Sequence, residues 1–250
     1  MKSTLVVIPA RWGSSRFPGK PLQPILGKPL LQYVWELSSS AETVDKVVIA
    51  TDDERISTAA KNFGAEVVMT PTDISTGTDR IALVAKNYPD YEIVVNVQGD
   101  EPLIEPGLID RLSYCLIEQP EIKMATAASP FREAKAVASP DNVKVVVDKK
   151  QRALYFSRST IPFDRDKAGP QMDKGFLHHL GIYAYRRDFL FEFVNYPPAF
   201  LETREKLEQL RALENGASIV VLKTDHRSPG VDRPEDVVLV EGLLKKEPTQ

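Results

Sequence analysis

Apolar residues in the first half of this chain fall in short unbroken runs, separated by stretches with helical spacing. The run TLVVIPA (4–10) has almost no polar position, so it reads as a strand buried on both faces. PLLQYVWELSSS (29–40) follows as an amphipathic helix that begins near a proline. DKVVIA (45–50) is a second buried strand. TDDERISTAAKNFG (51–64) is a second helix, with Thr51 or Asp52 as its cap and Gly64 as its stop. AEVVMT (65–70) and TDRIALVAKNY (78–88) give a third strand and helix. YEIVVNVQGD (91–100) and PGLIDRLSYCLIE (106–118) give a fourth pair.

This alternation predicts an α/β fold with a mainly parallel sheet and helices on both faces. Ligands of such sheets bind beyond the carboxyl ends of the strands. The loop after the first strand and QGDEP (98–102) after the fourth therefore belong to one rim.

The second half is less regular. NVKVVVDKKQRALYFSRS (142–159) reads as a hairpin around DKKQ, and IPFDRDKAGPQMDKG (161–175) as a long exposed loop. HHLGIYAYR (178–186) alternates. A strand there puts His179, Gly181, Tyr183 and Tyr185 on one face and Leu180, Ile182 and Ala184 on the other. LETREKLEQLRALENG (201–216) reads as one helix and ASIVVLKT (217–224) as a strand. VDRPEDVVLVEGLLKK (231–246) reads as a last helix, opened by a capping box from Asp232 to Glu235.

Composition narrows the class. The 250 residues carry a net charge of −3, which argues against a nucleic-acid coat or a membrane-surface protein. No apolar run approaches a membrane span, and MKSTLVVIPA is too short for a secretory signal. Cys115 is the only cysteine, so no disulfide forms within the chain, and a reducing, cytoplasmic compartment is expected. Its apolar helical setting makes it a core residue. The three histidines and one cysteine form no HExxH or CxxC site, so a bound metal would take oxygen ligands, as magnesium or manganese does.

Candidate chemistry starts in VVIPARWGSSRFPGKPL (6–22). It fits neither common phosphate fingerprint. Five residues separate Gly13 from Gly19 where the P-loop has four, Pro21 follows Lys20, and G-x-G-x-x-G is absent. Even so, Arg11, Arg16 and Lys20 match phosphate oxygens, and Gly13, Ser14 and Ser15 can offer backbone N–H groups to an anion. The structural alternative is a solvated basic loop.

Asp100 in NVQGDEP (96–102) ends an apolar strand, beside Gln98 and a glycine that permits a sharp bend. A carboxylate there suits magnesium held against phosphates, and an ordinary strand exit would look the same. Asp232 in GVDRPEDV (230–237) has a structural role open to it as a helix cap. Paired with Asp100 at about 4 Å it would suffer roughly 4 kcal/mol of repulsion at an effective dielectric near 20, and a divalent cation would reverse that sign. Arg80 in GTDR (77–80) could meet base or phosphate, or pair at the surface with Asp79 or Glu66. Arg158, His179, Tyr183, Glu208 and Gln209 could line a polar pocket, with Arg158 suited to a carboxylate; each also has an ordinary packing role.

Together these segments, with ALYFSRSTIPFDRD (153–166), HLGIYAYR (179–186) and REKLEQLRALENG (204–216), resemble one family across essentially the whole chain. That family is the CMP-KDO synthetases, the 3-deoxy-manno-octulosonate (KDO) cytidylyltransferases of Gram-negative bacteria. No single motif is specific; the combination is. Trp12 and Phe17 depart from the tyrosine and leucine types expected there.

The resemblance implies a Rossmann-like nucleotidyltransferase fold and a homodimer. Residues of about 1–130 and 217–250 would form a nucleotide-binding core, and 131–216 a sugar-binding and dimerisation region. It implies magnesium-assisted attack of the sugar's anomeric hydroxyl on the α-phosphate of CTP, giving CMP-KDO and pyrophosphate for lipopolysaccharide synthesis. On that reading Ala10, Arg11, Arg80 and Gln98 hold cytosine and nearby groups. Arg16 and Lys20 hold phosphates, and Lys20 joins Asp100 and Asp232 as the catalytic set. Asp100 and Asp232 bind Mg2+, and Arg158, His179, Tyr183, Glu208 and Gln209 form the sugar pocket. The absence of G-x-S-x-G agrees with a reaction that needs positioning and charge neutralisation rather than a covalent nucleophile. A related acidic sugar, such as the 8-amino analogue of KDO or a sialic acid, and a non-catalytic nucleotide sensor are the alternatives.

Overall fold

Strand β1 (Thr4–Ala10) is buried along almost its whole length, and successive side chains point to opposite faces, so both faces are covered. It pairs in parallel with β4 (Val44–Thr51) on one edge, where Val6 lies beside Val47 and Ala10 beside Thr51. On its other edge lies β6 (Ile93–Asn96), also parallel. Strand β5 (Glu66–Met69) extends the sheet beyond β4. The computed structural model describes residues 3–13, 17–74, 76–165, 175–226 and 229–245. The chain divides into two compact units, residues 1–113 with 227–250, and residues 114–226.

In the first unit, a short ribbon of β2 (Pro24–Ile25) and β3 (Lys28–Pro29) leads into helix α1 (Leu30–Ser39), whose N-cap is Pro29. Helix α2 (Glu54–Asn62) is capped one or two residues later than expected. Asp53, not Thr51 or Asp52, accepts the Arg55 N–H at 2.9 Å. Thr51 is committed to β4, whose last pairing it makes. Gly64 follows the helix with a φ of 90°, the left-handed stop its glycine predicts. Helix α3 (Gly77–Ala85) is capped by Thr76, whose Oγ1 accepts the Asp79 N–H. Helix α4 (Pro106–Glu118) carries the chain to the second unit.

The strands of the second unit are arranged around β7 (Met124–Pro130), which periodicity does not reveal because its residues are mostly small and all but the last are buried. After the short helix α5 (Ala134–Ala138), β8 (Lys144–Val147) and β9 (Ala153–Ser157) form the expected antiparallel hairpin. The first residues of β10 (Leu177–Arg186) pair antiparallel with both β7 and β8, and a register shift interrupts the β7 pairing between Leu180 and Tyr183. Of the loop expected over 161–175, residues 166–174 lie outside the described residues.

Helix α6 (Arg187–Val194), unexpected from the sequence, follows. The single helix expected over 201–216 is two, α7 (Phe200–Glu205) and α8 (Gln209–Glu214). The break is Lys206, at a left-handed φ of 54°. Strand β11 (Ile219–Lys223) pairs in parallel with β7. The chain then returns to the first unit for α9 (Pro234–Leu244).

Candidate active site

The first unit places a cleft of about 280 Å3 at the carboxyl end of β1 and β6, where open parallel sheets bind ligands. Pro9, Ala10, Arg11, Gly13, Lys20, Pro21, Gly77, Gln98, Gly99 and Asp100 line it. Two glycines make this possible. At Gly99 a Cβ would stand 2.8 Å from the Pro9 carbonyl oxygen, so only glycine lets the chain leaving β6 pass this close to β1. At Gly19, φ is 73° and a Cβ would meet the Trp12 ring at 3.0 Å. The Gly19 N–H donates to the Trp12 carbonyl at 3.0 Å, which closes the loop at its base and delivers Lys20 to the cleft.

Lys20 is the centre of the site. Its Nζ donates to Asp100 Oδ2 at 2.6 Å and to Asp232 Oδ1 at 3.2 Å. The lysine is 12% exposed, Asp100 32% and Asp232 58%, so the Asp100 pair is the better shielded and the stronger of the two. Asp232 reaches the site because the Asp100 carbonyl accepts the Val231 N–H at 2.9 Å.

The capping expectation for Asp232 is corrected here. Helix α9 starts one residue later, and Asp236 Oδ2 takes the N–H groups of both Asp232 (2.9 Å) and Arg233 (2.8 Å). With a downstream carboxylate doing the capping, the Asp232 side chain is left for Lys20. Glu101, next to Asp100, is raised to about 8 by desolvation and then by the Asp100 charge, so it is mostly a neutral acid at pH 7 and adds little negative charge.

Among the described residues, no group of three or more His, Cys, Asp or Glu side chains gathers to hold a metal. Asp100 and Asp232 nevertheless converge on one cation, the Lys20 ammonium. Two carboxylates with open cleft beside them fit magnesium, which takes its remaining ligands from phosphates and water.

Other sequence-derived residues fall differently. Gln98 lines the cleft, and its Nε2 donates to Asn96 Oδ1 at 3.2 Å. Arg80 does not line it, and the surface pair with Asp79 or Glu66 is not what forms. Its side chain is fully buried, with Nη2 on Asp52 Oδ2 at 2.8 Å and Nη1 on Thr70 Oγ1. It ties α3 to the segments that follow β4 and β5, while Gly77 at the start of α3 faces the cleft. Ser14, Ser15 and Arg16 lie outside the described residues.

In the second unit, the expected strand face exists despite the register shift. The rings of Phe156, His179, Tyr183 and Tyr185 form a row with centroids 4.9, 5.4 and 6.0 Å apart. The Thr126 hydroxyl donates to the Ile182 carbonyl at 2.7 Å, which leaves its oxygen to accept from His179 Nε2 at 3.1 Å. Desolvation, with a smaller contribution from His178, lowers His179 to about 3, so it is neutral. Burial raises Tyr183 well above its ordinary value, helped by Tyr185 and the Glu208 charge.

Gln209 is 4% exposed with its Nε2 unpartnered, and Glu208 holds Arg211 at 2.8 Å. Arg158 is more occupied than a free carboxylate receptor would be. Its Nε donates to the Glu205 carbonyl at 2.8 Å and its Nη1 to the Pro140 carbonyl at 3.0 Å. Sequence reasoning missed Glu205, which accepts from Ser157 Oγ (2.6 Å) and the Arg158 N–H (2.9 Å). It also missed the buried Lys144, whose ammonium is held by the carbonyls of Ser139, Asn142 and Arg158. Nothing in a surface-helix pattern or a lone strand lysine signals either role.

Comparison with known proteins agrees with this architecture. A family model described as cytidylyltransferase matches residues 5–219. A 3-deoxy-manno-octulosonate cytidylyltransferase of Geobacter sulfurreducens is 52% identical over 96% of this chain and 98% of its own. Another, of Pseudomonas syringae pv. tomato, is 49% identical over 96% and 97%. The solved structure of a CMP:2-keto-3-deoxy-manno-octonic acid synthetase complexed with CTP is similar with a TM-score of 0.92 and 41% identity, covering 99% of this chain and all of that one. A 4-diphosphocytidyl-2C-methyl-D-erythritol synthase of Anaerococcus prevotii, 11% identical with a TM-score of 0.65, shares the fold. With a cleft lined by Arg11, Lys20 and Asp100 at the expected rim and a family match over most of its length, this chain belongs to the cytidylyltransferase family.

Proposed function

We propose that this protein activates 3-deoxy-manno-octulosonate with CTP, releasing pyrophosphate and CMP-KDO for lipopolysaccharide synthesis. The observation that carries the reading is the convergence of Asp100 and Asp232 on Lys20, in a cleft that Arg11, Lys20 and Asp100 line. The relatives' names and the CTP complex of a similar protein supply the substrates.

In this reading Ala10, Arg11, Gly13 and Gln98 hold the nucleotide. Ser14, Ser15, Arg16 and Arg80 remain with them as proposals from the family resemblance, although Arg80 as placed acts from behind the cleft. Arg16 and Lys20 would neutralise charge as the pyrophosphate departs, the main contribution a protein makes to such a transfer. Asp100 and Asp232 would hold Mg2+. When bound, magnesium supplies Lewis-acid charge at the phosphates.

Arg158, His179, Tyr183, Glu208 and Gln209 bind the sugar acid. The unpartnered Gln209 amide supports that assignment, since a buried donor without a partner costs about 1–3 kcal/mol until something accepts from it. With its one N–H on Thr126, the neutral His179 keeps Nδ1 as an acceptor for a sugar hydroxyl and attracts no proton at physiological pH.

We place the protein in the cytoplasm, as a homodimer. No described helix is long and apolar enough to cross a membrane. Three large apolar side chains of the second unit stand open, Leu154 (62% exposed), Phe163 (84%) and Phe200 (66%), and they support a subunit contact.

The direct test is pyrophosphate release from CTP, KDO and magnesium, run beside the 8-amino analogue and a sialic acid. Release with KDO at the highest kcat/KM is expected; a well-folded protein that releases none sinks the reading. Asp100→Ala should lower kcat by more than about a hundredfold while the fold stays intact. Full activity in that variant would remove Asp100 from the metal site.

A further inference from the structure

The loop that delivers Lys20 is held from outside by a stack that phosphate chemistry does not require. The Arg55 guanidinium carbon lies 3.5 Å from the centroid of the Trp12 ring, a close cation–π stack. Asp53 fixes that guanidinium from its edge as a fork, with Nε on Oδ1 at 3.0 Å and Nη2 on Oδ2 at 2.6 Å. The same Asp53 Oδ1 caps α2, so the fork stands on a helix end and not on a free loop. Trp12 in turn lies against Gly19, where even a methyl group would meet its ring at 3.0 Å, and the Trp12 carbonyl accepts from the Gly19 N–H. Lys20 is the next residue.

We infer that Arg55, held by Asp53, is a positioning residue for nucleotide binding, acting through Trp12 and Gly19 on the direction of Lys20. The inference rests on the reading of the cleft as the CTP site. Each contact has a reason to be rigid. The guanidinium is planar and pinned on one edge, the indole is a flat plate, and glycine is the residue that lets the plate approach the backbone. Arg55 is 57% exposed and lines no part of the cleft, so its removal neither opens a core cavity nor deletes a ligand contact.

Arg55→Ala and Arg55→Lys, measured beside the unaltered protein, test this. Arg55→Ala should raise KM for CTP, and the Kd for CTP in a calorimetric titration, by about three- to tenfold. KM for the sugar acid and the melting temperature should hold. Arg55→Lys keeps the charge but not the planar fork, and should recover less than half of the loss. Trp12→Ala should give a similar rise, and Arg55→Ala should add nothing to it. Unchanged CTP binding in Arg55→Ala, an equal change in both substrates together with a lower melting temperature, full recovery in Arg55→Lys, or additive effects with Trp12→Ala would each overturn the inference. A protein that binds CTP with this dependence but releases no pyrophosphate would defeat the proposed function and leave the Arg55 assignment standing.

Discussion

Gly99 is the residue where one carbon should matter most. Its missing Cβ is what lets β6 run out against the Pro9 carbonyl. Gly99→Ala must move backbone, so we expect a loss of about 1–3 kcal/mol in denaturant unfolding. Because Asp100 is the next residue, turnover should fall further than stability, by about a hundredfold if its carboxylate shifts by an ångström.

His179 makes a second residue-scale prediction, with a sign. Its folded value of about 3 lies below the ordinary 6.5, so the unfolded chain binds the extra proton as pH falls. Stability is therefore complete above pH 6.5 and declines below it, by about 1.4 kcal/mol per pH unit from this residue, until about pH 3. Urea unfolding between pH 7 and 4 should show that slope, and His179→Gln should flatten it; an unchanged slope would mean that other groups govern the acid limb.

Residues of this kind were legible in different degrees. Lys20 and Asp100 can be named because each follows a glycine, and Asp232 because it opens the helix-start segment DRPED. Their meeting on one ammonium cannot, since 212 positions separate Lys20 from Asp232. The sequence alone points Arg80 to the surface or to a ligand, because its partner Asp52 belongs to a different strand exit, 28 positions away.

At the scale of elements, the first unit is readable because its strands are unbroken apolar runs and its helices are bounded by proline, aspartate, threonine and glycine. The second unit resisted for two physical reasons. Strand β7 is built from MATAASP, whose small residues carry no period to separate strand from helix. The segment after Pro198 keeps helical spacing across α7 and α8, yet Lys206 turns left-handed so that Glu205 can hold the end of β9. Tertiary hydrogen bonds overrode local pattern there.

Helix α9 offers an element-scale test. Its first turn is capped by Asp236, which is also what leaves Asp232 uncommitted. Asp236→Ala should cost about 1 kcal/mol of stability, as lost caps do. It should also weaken CTP and magnesium binding, because Asp232 sits on the backbone that Asp236 secures. Unaltered binding with the expected stability loss would separate the cap from the site.

For the whole molecule, the ledger of exposed apolar side chains bears on assembly. A single chain has a mass of 27.9 kDa. Light scattering on the purified protein should return twice that value, and replacing Phe200 with glutamate should lower it toward one chain. A single-chain mass for the unaltered protein at micromolar concentration would end the dimer reading. The near-neutral charge of −3 gives no long-range repulsion to oppose association.

The Lys20 pairs also bear on how the cleft would answer a drug-like molecule. A triphosphate mimic entering it meets Arg11, but the Lys20 ammonium is already engaged by two carboxylates at 2.6 and 3.2 Å. The mimic gains from Lys20 only after those pairs yield, so adding anionic charge alone is a poor route to potency. A zwitterionic compound, with a compact cation to occupy Asp100 and Asp232 and an anion for the lysine it releases, would replace both broken contacts at once.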